Sequence, residues 1–302
     1  MWFRRIGLFL AVNLLVMVTI SMIVHFLGLE NFLTQRGVDY GSLMIFCLVW
    51  GMGGSFLTLM ISRWSAKTMM GVQVLDPENP GGAEERWLVQ TVHNLAQRAG
   101  LTTMPEVGIY ESPDPNAFAT GPDKHHALVA VSTGLFNAME REEIEAVLGH
   151  EMTHITNGDM VTLTLIQGVI NAFVMFLAYA VSIALTRGSD NDRREGSPMA
   201  QFFLRMVLEM VFGILGMIPV MAFSRWREYR ADAGGAGLTS RQQMANGLRA
   251  LQRYIHQPKP SEPASIAAFK ISAPGGSLFA SHPPLEKRIQ RLEAGGMTDP
   301  GF

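Results

Sequence analysis

The sequence predicts a mainly α-helical membrane protein in which four hydrophobic helices carry a polar α+β domain with a small sheet. Two observations support this fold class. Charged residues make up 17% of the 302 residues, whereas a soluble domain usually has about 25%. The missing charge is concentrated in long apolar runs, and the sequence between these runs has helical and strand-like patterns.

Three runs contain no Asp, Glu, Lys or Arg: residues 6–29, 41–62 and 160–186. Each is longer than the roughly 20 helical residues that cross the hydrocarbon layer of a bilayer. The first run is too long for the apolar core of a signal peptide, so we expect it to form a hairpin with the second. A fourth run, 202–224, includes a few polar residues and is also interpreted as a span, with an amphipathic core helix as the alternative.

The runs divide the chain into a transmembrane hairpin (1–62), a polar block (63–159), a second transmembrane pair (160–224) and a second polar block (225–302). Two crossings return the chain to the side that it left, so both polar blocks are expected to face one compartment. Positive residues flank the spans mainly on that side, and the positive-inside rule makes it the cytoplasm. These residues are Arg4, Arg5, Arg63, Lys67, Arg225, Arg227 and Arg230.

In the first polar block, apolar spacing over residues 87–101 predicts an amphipathic helix. Two short strands are expected at 106–110 and 127–132, with a turn-rich segment at 112–123 between them. Spacing over 140–156 predicts a second helix, which Asn157 and Gly158 would end.

In the second polar block, Ser240 and Gln243 resemble a capping box at the start of a helix. Residues 257–281 are rich in Pro, Ser and Gly and are expected to form a loop. Pro283 and Pro284 then precede a last short helix.

Composition excludes some functions. A net charge of -2 gives no electrostatic basis for binding nucleic acid. The single cysteine, Cys47, can form neither an intramolecular disulfide nor a thiolate zinc site. Any metal site must therefore use histidine and carboxylate ligands.

The HExxH sequence at residues 150–154 is the strongest functional signal in the chain. His150 and His154 lie one helical turn apart, so both imidazoles can bind one zinc ion, and Glu151 projects beside them as a general base. The alternative is a helix whose histidines only pack or cap. The predicted helix over 140–156 supplies the context that a zinc site requires.

A catalytic zinc site needs a third protein ligand. The spacing of metzincins is excluded, because Asn157 and Met160 occupy the positions of its glycine and third histidine. Glu228, after the second transmembrane pair, is the expected third ligand. Asp232, one turn later, is expected to accept the ring N–H of a zinc-binding histidine. Taken alone, the two acids would suit an ordinary surface helix.

These motifs resemble those of the HtpX membrane zinc metalloproteases, which are related to the CAAX prenyl-protein proteases. The resemblance covers the whole chain. It includes HExxH, a pair of spans, the R-x-x-E-Y-x-A-D sequence at 225–232, the segment 115–121 and the segment 281–288. It implies a zincin-like protease domain that binds one zinc ion per chain.

Carried over position by position, the resemblance makes His150, His154 and Glu228 the zinc ligands and Glu151 the catalytic base. It also implies that the segment around Asn116 and Ala117 pairs with extended substrate. His282 is expected near the oxyanion, with Arg288 supporting the site. Taken alone, Asn116 would be a turn residue, His282 a helix-entry residue and Arg288 a solvated charge.

The resemblance implies proteolytic quality control of misfolded or damaged proteins of the bacterial inner membrane, as part of a stress response and overlapping with an ATP-dependent membrane protease. The bilayer and unfolded membrane proteins are the expected partners. A prenyl-peptide or signal-processing protease is a narrower alternative. A structural zinc site in a membrane scaffold or chaperone is the alternative outside enzymology.

Overall fold

The computed structural model describes residues 39–186, 198–256 and 280–295. This part of the chain is mostly helical and has a small mixed sheet, as the sequence predicts. The predicted first span, residues 187–197 between the third and fourth apolar runs, and most of the predicted 257–281 loop lie outside the described residues. The elements in chain order are α1 (Tyr40–Met69), β1 (Gln73–Val74), α2 (Ala83–Arg98), β2 (Glu106–Tyr110), β3 (Ala117–Thr120), β4 (Leu128–Ser132), α3 (Thr133–Ala138), α4 (Arg141–Asn157), α5 (Asp159–Thr186), α6 (Pro198–Leu238), α7 (Arg241–His256) and α8 (Leu285–Glu293).

The chain divides into two compact units. One comprises Met1–Thr58 with Leu163–Val220, and the other comprises Leu59–Thr162 with Met221–Phe302. We call them the apolar unit and the sheet unit. The sheet unit contains every residue predicted to bind metal or substrate.

Three described helices are long and apolar enough to cross a membrane: α1 over Gly41–Met69, α5 over Asp159–Thr186 and α6 over Met199–Leu238. Large apolar side chains on α1 and α6, including Trp50 and Met210, are more than half exposed. Exposed apolar surface on this scale is expected where a helix contacts lipid rather than water. The fourth predicted run lies on α6, which passes through Pro219 without a break and continues to Leu238.

Glycines allow α1 and α5 to approach closely in the apolar unit. A Cβ atom on Gly51 would lie 2.6 Å from the backbone nitrogen of Ala172, and one on Gly168 would lie 2.7 Å from the sulfur of Met52. Nearby, Asn171 donates a hydrogen bond to the Ser55 hydroxyl over 3.2 Å. Small residues and interhelical hydrogen bonds are the usual basis of helix association in lipid.

The sheet has the strand order β1-β2-β4-β3. β2 and β4 are parallel, whereas β1 and β3 are antiparallel edge strands. The predicted strands at 106–110 and 127–132 agree with β2 and β4 within one residue. The segment 112–123, predicted to be turn-rich, also contains the strand β3, which the sequence analysis did not predict. Four small or half-buried residues show no clear alternation, so pairing with β4 rather than local pattern makes β3 a strand.

Both faces of β4 are covered within the sheet unit. Val129 and Val131 belong to the core that α2 and α4 form with the sheet. Leu128 and Ala130 belong to a smaller cluster on the other face. The main core thus supports α4, the helix that carries HExxH. Its largest fully buried side chains are Leu88, Leu95, Leu135, Ile144, Leu148, Met152 and Ile155.

The helices of the second polar block also form as predicted. The Ser240 hydroxyl accepts the backbone N–H of Gln243 over 3.1 Å at the start of α7. The Gln243 side chain does not complete a capping box, since it donates to the backbone oxygen of Glu142 on α4 over 3.0 Å. The contact joins α7 to α4, and α8 follows Pro284 as expected.

We predict that Gly51→Ala weakens the apolar unit, because the added methyl group would overlap the backbone of α5. Overpacking of this kind typically costs about 1–3 kcal/mol. Gly53→Ala is the matched control, since a Cβ there meets nothing within 4 Å. Melting temperatures of the purified full chain in detergent should fall for Gly51→Ala only. Equal melting temperatures for the two variants would contradict the close packing of α1 and α5.

Candidate metal centre

The helix α4 presents both histidines of HExxH to one point. At the start of the helix, the Glu143 carboxylate accepts a hydrogen bond from the backbone N–H of Glu140 over 3.1 Å. At its end, Gly158 adopts a left-handed conformation with a φ of 70°. His150 and His154 lie one turn apart, with their Nε2 atoms 3.1 Å from each other. Their exposed fractions are 7% and 6%, so the site is almost closed to water.

Glu228 reaches the same point from α6. Its side chain is fully buried. One carboxylate oxygen, Oε2, lies 3.4 Å from His150 Nε2, and the other, Oε1, lies 3.3 Å from His154 Nε2. Among the described residues, these three side chains form a group whose potential ligand atoms all lie within 4.8 Å of one another.

A carboxylate orients each imidazole from behind. Asp232 Oδ1 lies 3.0 Å from His150 Nδ1, and Asp159 Oδ2 lies 2.6 Å from His154 Nδ1. With the proton on the Nδ1 atom that faces its carboxylate, each imidazole can present the lone pair of Nε2 to a cation at the centre.

Asp159 is the site residue that the sequence analysis misses. It is the first residue of α5, directly after Gly158, and its side chain is only 3% exposed. The available signal was an acidic residue immediately after the predicted helix stop.

The arrangement fits a metal ion. Two imidazole Nε2 atoms and an ionised carboxylate meet in a buried space, and Glu228 Oε1 has no hydrogen-bond partner among the described residues. Burial acts to lower the pKa of His150, but its hydrogen bonds with Asp232 and Glu228 outweigh burial and raise the pKa to about 9. The carboxylates thus favour positive charge at this point, and a metal cation supplies it. Two imidazoles and one carboxylate are a known ligand set of catalytic zinc.

Arg288 supports the carboxylates. It is 6% exposed, and it donates from Nε and Nη2 to the two oxygens of Asp232 over 2.8 and 2.6 Å. Its Nη1 lies 3.4 Å from Glu228 Oε2. The helix α8 places Arg288 here because the neighbouring Ile289 and Leu292 are buried in a cluster with residues of α7. A two-pronged contact of this kind fixes the orientation of Asp232 and, through it, that of His150.

His282 lies at the rim of the centre. Its Nδ1 is 2.8 Å from Glu228 Oε2, while about half of its side chain is exposed. Arg225 on α6 donates to the backbone oxygen of Ala280 over 2.8 Å and so holds the segment that carries His282. The ring is therefore fixed beside the centre yet accessible from outside.

Glu151 lies between the metal centre and the sheet. Its Oε2 accepts the backbone N–H of Ala119 on β3 over 3.0 Å. The N–H of Ser132 donates to the oxygen of Asn116 over 2.9 Å. By the alternation of an antiparallel ladder, Ala117 and Ala119 then turn their backbone polar groups to the open edge of the sheet. Glu151 thus lies along an unpaired strand edge.

The structure places the two other predicted substrate residues on or next to β3. Ala117 is the first residue of the strand. The side chain of Asn116 donates to the Tyr110 hydroxyl over 2.8 Å, so its N–H₂ group is bound within the sheet unit. Its backbone N–H and oxygen are both bound to Ser132, so the contribution of Asn116 to an edge site is confined to its side-chain oxygen.

Comparison with known proteins agrees with this geometry. The sequence profile of Peptidase family M48 matches residues 82–295, an interval that contains the whole metal centre. Protease HtpX of Cellvibrio japonicus is 49% identical, covering 95% of this chain and 97% of its own length. Protease HtpX of Thioalkalivibrio sulfidiphilus is 50% identical, with coverage of 96% and 99%. The Protease HtpX homolog of Bacillus subtilis is 46% identical, also with coverage of 96% and 99%.

A solved structure shares the fold. The crystal structure of S. mikatae Ste24p superposes with a TM-score of 0.57 at 19% sequence identity. The match covers 94% of this chain but only 64% of Ste24p, so this chain spans less than two thirds of that protein. The resemblance to HtpX proteases is confirmed by the sequence comparisons, and the chain belongs to peptidase family M48.

Proposed function

We propose that this chain is an integral-membrane, zinc-dependent endopeptidase that hydrolyses peptide bonds of misfolded or damaged membrane proteins. Membership of family M48 makes the chain a metalloprotease, and the metalloproteases of this family are zinc-dependent. The observation that carries the proposal is the convergence of His150, His154 and Glu228, with Glu151 directly beside them.

In this proposal the three residues hold one zinc ion per chain. When bound, zinc polarises a carbonyl group and makes water more acidic. Asp232 and Asp159 keep the two imidazoles in the tautomer that binds metal. A structural zinc site usually has four protein ligands and is closed. Three ligands with an acid beside them therefore favour catalysis over the structural alternative.

Glu151 is the proposed general base. Its Oε2 is fixed by the N–H of Ala119, which leaves Oε1 to take the proton of the attacking water. The carboxyl group then passes that proton to the nitrogen of the departing amine. His282, at the rim, is the proposed donor beside the oxygen on which negative charge develops, and Arg288 supports the site by holding Asp232.

The open edge of β3 is the proposed substrate-binding edge. An extended peptide can pair with the outward polar groups of Ala117 and with the backbone oxygen of Ala119, which would place its backbone beside Glu151. Edge pairing reads the backbone rather than the side chains. The affinity it provides depends little on sequence, as a quality-control protease requires. Overlap with an ATP-dependent membrane protease is inferred from the resemblance to the HtpX family alone.

We also propose four spans in the bacterial inner membrane with the sheet unit in the cytoplasm. Support comes from the three apolar helices, from the additional run at residues 6–29 and from the positive residues next to the spans. In this arrangement α4 and Glu228 lie on the same side of the bilayer, as one metal centre requires.

We predict that Glu151→Gln keeps zinc but loses about 10²- to 10⁴-fold in the rate of casein cleavage, because the general base is removed while the ligands stay. Glu142→Gln, an exposed substitution on the same helix, is the control and should cleave normally. Zinc content and cleavage are measured on purified full chains in detergent. Normal cleavage by the Glu151→Gln protein would refute the proposed role.

A second prediction concerns Asp159. We expect Asp159→Asn to weaken zinc binding about 10- to 100-fold, since His154 loses the carboxylate that orients it. Asp76→Asn, at an exposed loop position, should leave the affinity unchanged. Competition with a chromophoric chelator measures the zinc affinity of both variants. If the affinities of the two variants are equal, Asp159 does not position His154.

A third prediction tests the topology. Green fluorescent protein fused after Phe302 should fluoresce, because it folds in the cytoplasm, and alkaline phosphatase inserted between residues 187 and 197 should be active outside it. The reverse fusions should both be inactive. If both positions report the same compartment, α5 and α6 do not form a pair of crossings.

A further inference from the structure

Arg227 is partly buried beside the metal centre and has no hydrogen bond to any described residue. It precedes Glu228 on α6, and its side chain is 17% exposed. Its closest ionic contact is from Nη2 to Glu228 Oε1, over 3.8 Å, which is too long for a hydrogen bond. Its Nε is buried and has no partner.

Neighbouring arginines in the same unit are all engaged. Arg225 donates to the oxygen of Ala280, Arg230 stacks over the ring of Trp226 at 4.7 Å, and Arg288 binds both oxygens of Asp232. A guanidinium group carries five N–H donors, and burying it without acceptors is costly. Arg227 is therefore expected to have an acceptor that the described residues do not supply.

The contacts of Glu228 show on which side of the centre this acceptor binds. Oε2 faces His150, His282 and Arg288, whereas Oε1 faces His154 and Arg227. Donor groups thus lie on both sides of the carboxylate. The sequence analysis assigned Arg227 to the positive residues that flank a span, but its side chain lies against a predicted metal ligand.

We propose that Arg227 binds an oxygen atom of the substrate peptide on the His154 side of the metal centre. This inference rests on the proposed endopeptidase function. The planar fork of a guanidinium group suits carbonyl and carboxylate oxygens, and a bound peptide offers both, as backbone carbonyls and as acidic side chains. A lipid phosphate is the other acceptor that a membrane supplies. The contact with Glu228 and the low exposure of Arg227 favour the peptide.

The test compares purified wild-type chain with Arg227→Gln and Arg227→Lys in neutral detergent, with Arg230→Gln as the control on the same helix. Substrates are peptides that differ only by Glu, Gln or Lys at the positions flanking the cleaved bond. We expect Arg227→Gln to raise KM and to lower kcat/KM about ten- to hundred-fold at unchanged zinc content, as loss of a charge-assisted hydrogen bond does. An equal loss for every peptide identifies a backbone carbonyl, and a loss confined to Glu peptides identifies a side-chain carboxylate.

Arg227→Lys keeps the positive charge but not the planar fork of the guanidinium group, so its KM should lie between those of the wild-type chain and Arg227→Gln. This variant also tests the inference if the glutamine protein does not fold. Unchanged kinetics of Arg227→Gln would overturn the inference, as would unchanged kinetics of Arg227→Lys when only that variant folds. Reduced zinc content would overturn it too, because it would mean that Arg227 acts through Glu228. A loss seen only in liposomes with anionic lipid would assign Arg227 to a headgroup and overturn it as well. A wild-type chain that neither binds zinc nor cleaves would defeat the proposed function itself.

Discussion

The convergence of two imidazole nitrogens and a carboxylate on one buried point is the interaction on which the rest of the site depends. Each group is an acceptor or an anion, so without a cation the cluster would be unfavourable. Asp232 and Asp159 hold the imidazoles, and Arg288 holds Asp232. The outer contacts thus have a common consequence, which is that they orient the ligand groups toward one point at which positive charge is favoured.

The connections between helices place these groups together. α4 ends at Gly158 and α5 begins at the next residue, so the carboxylate of Asp159 comes directly behind His154. α6 runs without a break from its apolar part to Glu228 and Asp232. Asp159 begins α5, and Glu228 and Asp232 lie in the last part of α6, so two apolar helices carry residues of the candidate metal centre that are distant in the sequence.

Much of this could be predicted from the sequence, because HExxH spacing depends only on helix geometry, and the two α4 histidines indeed lie one turn apart. Asp159 was missed, since the stop at Gly158 is readable from the sequence but the turn of the next side chain back toward His154 is not. β3 was missed because long-range pairing defines it. Arg227 was counted among the positive residues that flank a span, since the sequence does not show whether its side chain turns toward the membrane surface or toward the metal centre.

The central claim is that a single zinc ion is held by His150, His154 and Glu228. Anomalous scattering from crystals of the zinc-loaded full chain, measured at the zinc edge, tests it most directly. The account predicts one peak per chain at about 2.0–2.2 Å from both Nε2 atoms and from an oxygen of Glu228. A peak elsewhere, or one that Glu228 does not contact, would contradict it.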